Sequence, residues 1–110
     1  MTSLENTIYI IIQGDSRARD YFNTGIESQR SANWHRRHAK EEADMQEAEH
    51  FNSLYRDDMR YVARRVAQIT GYQHGLVCDA LVVIATEEME RRGPLNLERV
   101  EDYIERTMLV

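Results

Sequence analysis

Apolar residues recur through the middle of the chain at alternating steps of three and four: Met45, Ala48, Asn52, Tyr55, Met59, Val62, Val66 and Ile69. This is a heptad pattern, and it predicts one continuous helix laying a narrow stripe on another helix. Its polar member, Asn52, sits where a coiled-coil helix gives up stability to fix register or partner number. Asn52, Tyr55, Met59, Val62, Val66 and Ile69 are therefore the expected seam. It forms either between two copies in a homodimer or among the helices of one copy, because antiparallel bundles use the same knobs-into-holes geometry.

On the N-terminal side, Thr2 and Glu5 have the spacing of a capping box. Leu4, Ile8, Ile11, Asp15, Ala18 and Phe22 then follow at steps of four and three, which predicts a helix to about Phe22 with Asp15 an odd charge in its seam. The rival is a strand over residues 7–12, whose β-branched and aromatic side chains suit a pleated surface. Its only candidate partner, residues 81–85, runs unbroken into Thr86-Glu87-Glu88-Met89-Glu90, which reads as helix. Asn23-Thr24-Gly25 punctuates the chain. Residues 26–44 are nearly all polar, with Trp34 the single large apolar side chain between Ile26 and Met45, so this stretch is expected to be a solvated helix, partly ordered at best, running into the heptad helix.

The heptad helix closes at Thr70-Gly71. Thr70 and Gln73 repeat the capping-box spacing, predicting a helix from near Gly71 to Arg92 that is apolar on most sides, Asp79 excepted, and so central to the bundle. Gly93-Pro94 ends it. A last helix starts at the cap Asn96, with Leu95 and Val100 placed as a staple, and buries Leu97, Val100, Ile104 and Met108. The expected fold is all-α: a single domain over residues 1–110, a bundle of about four helices around a long heptad-patterned one.

Length and composition narrow the function classes. A chain of 110 residues supports one modest core, and 42% hydrophobic with 30% charged residues is a globular balance. The net charge of -5 argues against a nonspecific grip on nucleic acid or an anionic membrane. Lys40 is the only lysine, so nearly all cationic groups are planar arginine forks. The single cysteine, Cys78, lies in an apolar run and reads as a small buried hydrophobe in a reducing compartment. The N-terminus has no basic leader, and the longest uninterrupted apolar run, Ala80 to Ala85, is far too short to span a bilayer, so the expected location is cytoplasmic.

Chemistry-bearing motifs are sparse. His35, His38, Glu41, Glu42, Glu47 and His50 crowd one region, and Glu47 with His50 gives the Glu-x-x-His spacing of di-iron bundles. The second such motif and the two further glutamates are missing, so a ferritin-like metal site is a minor alternative and no metal or cofactor is expected. Arg30, Arg36, Arg37 and Lys40 surround Trp34 and could grip phosphates, making a nucleic-acid module on residues 30–40 the second alternative. Acidic residues follow directly, and the pairs Arg37–Glu41 and Lys40–Asp44 would neutralise the block along a helix. Asp15 and Asp79 could form a carboxylate pair, but each is better placed at the rim or against Arg64 or Arg65. No phosphate loop or nucleophile elbow is present. The expectation is thus a non-catalytic regulator that binds a protein partner and inhibits a nucleic-acid-handling protein. Its contacts would be Trp34 and an acidic surface that includes Glu98, Glu101, Asp102 and Glu105.

Overall fold

The computed structural model describes residues 1–95 and opens with the expected capping box. The Glu5 amide donates to Thr2 Oγ1 at 3.3 Å and the Thr2 amide to Glu5 Oε1 at 2.8 Å, starting α1 (Ser3–Gly14). The helix does not continue to Phe22. Asp15 takes an extended conformation, and its carboxylate accepts the Ala18 amide at 3.0 Å, so it caps a new helix, α2 (Ser16–Arg37). A helix former at this point would have kept the heptad in phase. Glycine followed by an N-capping aspartate instead resets it, and Ile8 and Ile12, rather than Ile8 and Ile11, face the core.

Asn23-Thr24-Gly25 lies inside α2 and is not a break. Gly25 serves a close helix approach, since a Cβ there would stand 2.5 Å from Met59 Cε and 3.1 Å from Asp58 Cβ. The polar stretch after it is also helical to Arg37, because Ile26, Ala32 and the stem of Arg30 are buried and the polar residues beside them face water. It does not run into the heptad helix. Residues 38–41 turn the chain, and a second capping box, Glu41 with Asp44, opens α3 (Glu42–Thr70). Asp44 Oδ2 accepts the amides of Lys40 and Glu41, so the expected Lys40–Asp44 side-chain pair is replaced by a cap. Arg36 reaches across the hairpin to Glu49 at 3.4 Å.

As predicted, α3 is one continuous helix. It shares its most extensive packing with α2, and Met59, Val62, Ala63 and Val66 lie in the core between helices of the same chain. Gly71, at φ 76, ends it. Thr70 belongs to this ending: its hydroxyl donates to Val66 O at 2.8 Å and accepts the Tyr72 amide at 3.1 Å, so α4 (His74–Arg92) starts three residues later than the Gly71 expected from spacing. Val77, Ala80, Leu81, Ile84 and Ala85 close the core over Ile8, Ile12, Phe22 and Ile26.

Two expectations for α4 fail. The centre is held by α2 and α3, so α4 lies beside them with part of its apolar circumference open. Cys78 is only half-buried, its Sγ 3.5 Å from His74 Nδ1. Among the described residues there is no strand, and residues 7–12 and 81–85 are both helical. The predicted last helix, with Leu97, Val100, Ile104 and Met108, lies outside the described residues. No helix among those described is long and apolar enough to cross a membrane.

Candidate functional site

Where α2 and α4 meet, charged side chains converge into a clasp. Arg30, only 5% exposed, donates through Nε to Gly93 O at 2.9 Å and through Nη1 to both Glu27 carboxylate oxygens at 2.8 and 2.9 Å. Arg92 binds Glu27 Oε1 at 2.9 Å, Glu88 Oε1 at 3.0 Å and Asn23 Oδ1 at 2.7 Å. Glu88 is buried at 8% exposure, and Arg91 Nη1 lies 2.9 Å from its other oxygen in an ion pair without hydrogen-bond alignment. Arg91 also sits over the Tyr9 ring at 5.7 Å, tying α1 to α4. Burial opposes the charge on Glu27, yet hydrogen bonds from Arg92 and Arg30 prevail and hold its carboxyl below the usual range. Three cations face two carboxylates at the carbonyl end of α4, the sign that a helix C-terminus favours.

Beside the clasp is an open cleft of about 590 Å³, lined by Asn33, Arg36, Arg37, Met89, Glu90 and Pro94 among others. Both α2 and α4 end here. Their terminal carbonyls and Glu90 offset the arginines, so the cleft is a mixed surface and not an anion trap. Of the basic block read from the sequence, Arg30 is consumed by the clasp and Arg36 by Glu49, leaving Arg37 and Lys40.

Trp34 is half-buried at the hairpin tip. Its ring stacks on His38 at 4.4 Å and meets His35 edge-on at 5.1 Å, while His35 stacks on Phe51 at 5.4 Å. Trp34 Nε1 is buried without a hydrogen-bond partner among the described residues. The histidines here thus serve an aromatic junction between α2 and α3. Among the described residues no three His, Cys, Asp or Glu side chains converge as a metal site, Glu47 and His50 included. Asp15 pairs with Arg65, as one reading anticipated, through Oδ1–Nη2 at 2.8 Å and Oδ2–Nε at 3.1 Å, and Asp79 is exposed.

Within the heptad set, Met59, Val62 and Val66 are covered by the chain's own helices, Asn52 and Tyr55 are half-buried, and Ile69 is exposed. Burial pushes the Tyr55 phenol up. Glu98, Glu101, Asp102 and Glu105 lie outside the described residues. Three apolar side chains on the outer half of α4 stand in water: Leu76 at 44%, Val82 at 65% and Val83 at 37% exposure. Leu76 and Val83 are seven residues apart and share a face, with Val82 roughly 100° around the helix from Val83.

No protein-family model, curated protein or solved structure matches the chain. The clasp escapes a reading of the sequence although part of it is visible there: Glu88–Arg92 has the favourable i,i+4 order and Glu27–Arg30 the i,i+3 spacing. What local spacing cannot give is the junction of these two pairs across 60 or more residues.

Proposed function

We propose that the chain is a non-catalytic helical module whose ligand is another protein. The observation that carries this reading is the outer half of α4. The middle of α4 is apolar on most sides, as suits an interior helix, yet Leu76, Val82 and Val83 stand in solvent there, flanking the exposed Asp79 and Thr86. The charged residues of the clasp support it by being engaged with one another, since the buried Arg30 and Glu88 and the partly exposed Glu27 and Arg92 form ion pairs and hydrogen bonds within the fold. A half-buried tryptophan next to Arg36 and Arg37 offers the residue types that anchor protein interfaces.

The finer reading is a regulator that inhibits a nucleic-acid-handling protein in the cytoplasm, with Glu98, Glu101, Asp102 and Glu105 meeting a basic surface. It rests on the sequence charge and on complementary potentials steering association. The test couples capture to the α4 face. Val82→Asp/Val83→Asp should keep the wild-type helical signal and melting temperature while losing a protein captured stoichiometrically by the wild type. Glu98→Lys/Glu101→Lys/Glu105→Lys should slow association with that protein. Light scattering separates a second copy of the chain from a different partner. Capture that survives both variants unchanged, or a wild type that is monomeric and retains no protein, would overturn the proposal.

A further inference from the structure

We infer that the recess between the first turn of α2 and the C-terminal half of α3 binds single-stranded nucleic acid, holding a phosphate among Arg17, Arg64 and Arg65 and a base against the tyrosines beside them. The recess has a volume of about 290 Å³ and is lined by Arg17, Tyr61, Arg64, Arg65 and Gln68. Arginines at three of its five lining positions favour an anion there. The nearby acid, Asp15, does not have the capacity. Both its oxygens are taken by Arg65, and one of them also caps Ala18. Of the other acids of this region, Asp20 lies 3.9 Å from Arg19, Asp57 lies 3.4 Å from Arg60, and Asp58 packs against Gly25. Among the described residues, Arg17 and Arg64 form no ion pair, so the recess carries two positive charges in excess. The N-terminus of the 22-residue α2 adds its dipole with the same sign.

Two features point to a nucleotide rather than a bare anion. Tyr61 lines the recess and its ring stacks on Tyr21 at 3.9 Å with 27° between planes, which makes a preformed aromatic platform next to the arginines. Tyr21 is an exposed side chain one turn beyond Arg17. A strand of nucleotides fits better than a free one, because the exposed Arg56, which forms no ion pair among the described residues, lies about 12 Å along α3 from Arg64, with Arg60 between them paired to Asp57. This site is separate from residues 30–40 and from the outer face of α4, so it stands or falls independently of the protein-binding reading.

The test is fluorescence anisotropy with a labelled 12-residue deoxythymidine oligonucleotide at low salt. Wild-type binding should weaken with salt along a log–log slope of about -2, as expected for roughly three phosphate contacts on a single strand. Arg17→Ala/Arg64→Ala should lower affinity at least about tenfold, and Tyr61→Leu roughly fivefold or more. Circular dichroism checks that each variant remains folded. Because Arg17 and Arg64 are exposed and make no ion pair among the described residues, their double variant keeps the test valid even if Tyr61→Leu unfolds. Arg36→Ala/Arg37→Ala should bind like wild type. A mononucleotide should compete only weakly and inorganic phosphate less still. The inference is overturned by no binding at low salt, by binding that ignores Arg17→Ala/Arg64→Ala or depends instead on Arg36 and Arg37, or by inorganic phosphate competing as well as the mononucleotide.

Discussion

Replacing Arg30 by methionine isolates what the clasp contributes, because methionine keeps an unbranched apolar stem in the same channel while removing every donor. The guanidinium makes two hydrogen bonds to Glu27, one to Gly93 O at 2.9 Å and a long one to Arg92 O at 3.5 Å. Hydrogen bonds to charged groups contribute about 1.5–3 kcal/mol each and neutral ones about 1 kcal/mol. The full sum is not lost, since Glu27 is about half open to water and keeps Arg92 as a partner. What remains is the orphaned Gly93 carbonyl and a weakened Glu27 interaction, on the order of 2 kcal/mol. For a domain of this size that corresponds to a fall in Tm of roughly 10 °C. Arg30→Lys supplies a refinement. An ammonium keeps the charge but cannot address Glu27 and Gly93 O together in a fork, so it should recover less than half of the loss. Thermal melts followed by circular dichroism measure both. A melting temperature for Arg30→Met within about 2 °C of wild type, or full recovery in Arg30→Lys, would show that the fork geometry does not hold α4.

Asp15 gives a pH signature. Hydrogen bonds from Arg65, then from the Ala18 amide, lower its carboxyl from 3.8 to about 2. Its contribution to stability is therefore present above the unfolded value of 3.8 and is lost as pH falls toward 2. Arg65→Met should move the carboxyl midpoint up toward 3.8, read by NMR titration; an unmoved midpoint would assign the shift to the cap alone. Gly25→Val should destabilise by about 1–3 kcal/mol through overpacking against Met59 and Asp58, seen as a lower urea midpoint, whereas an unchanged midpoint would mean that α2 and α3 have slack there. Val62→Asp should abolish the cooperative melt, because an unpaired charge in the core costs several kcal/mol.

The legible parts of the fold are those written in short-range pattern. The heptad through Val62 and Val66 sets the length of α3, and Thr2 with Glu5 sets the start of α1. The errors come from residues with two available roles. Asp15 reads as a misplaced seam residue but is a cap, Gly25 reads as a breaker but is a spacer, and Thr70 reads as the opening of a helix but closes one. Only Gly25 is decided at long range, by Met59; the Asp15 cap on the Ala18 amide and the Thr70 bond to the Val66 carbonyl are local, but their spacing is equally compatible with the other role. Residues 26–37 look too polar to order because a count of apolar side chains misses Arg30, whose burial depends on the far end of α4. The Arg17–Arg64–Arg65 recess escapes notice for a related reason: its cations are dispersed through the sequence and form no run.

The short turn at 38–41 also fixes the order in which the molecule assembles. With so few residues between them, α2 and α3 close as a hairpin at small entropic cost, whereas the Arg30–Gly93 contact bridges 63 positions and the Arg91–Tyr9 contact 82. α4 meets α3 through an equally short turn at residues 71–73, but α2 and α3 share far more packing, and the contacts of α4 with α1 and α2 cost roughly 2–3 kcal/mol more in loop closure than the turn, at about 0.6 kcal/mol per doubling of length. The hairpin is then the nucleus and α4 the latecomer, which during synthesis also leaves the ribosome after both hairpin helices. Until it docks, Phe22, Ile26 and Val62 have no lid, and that interval is when the nascent chain is most exposed to wrong partners.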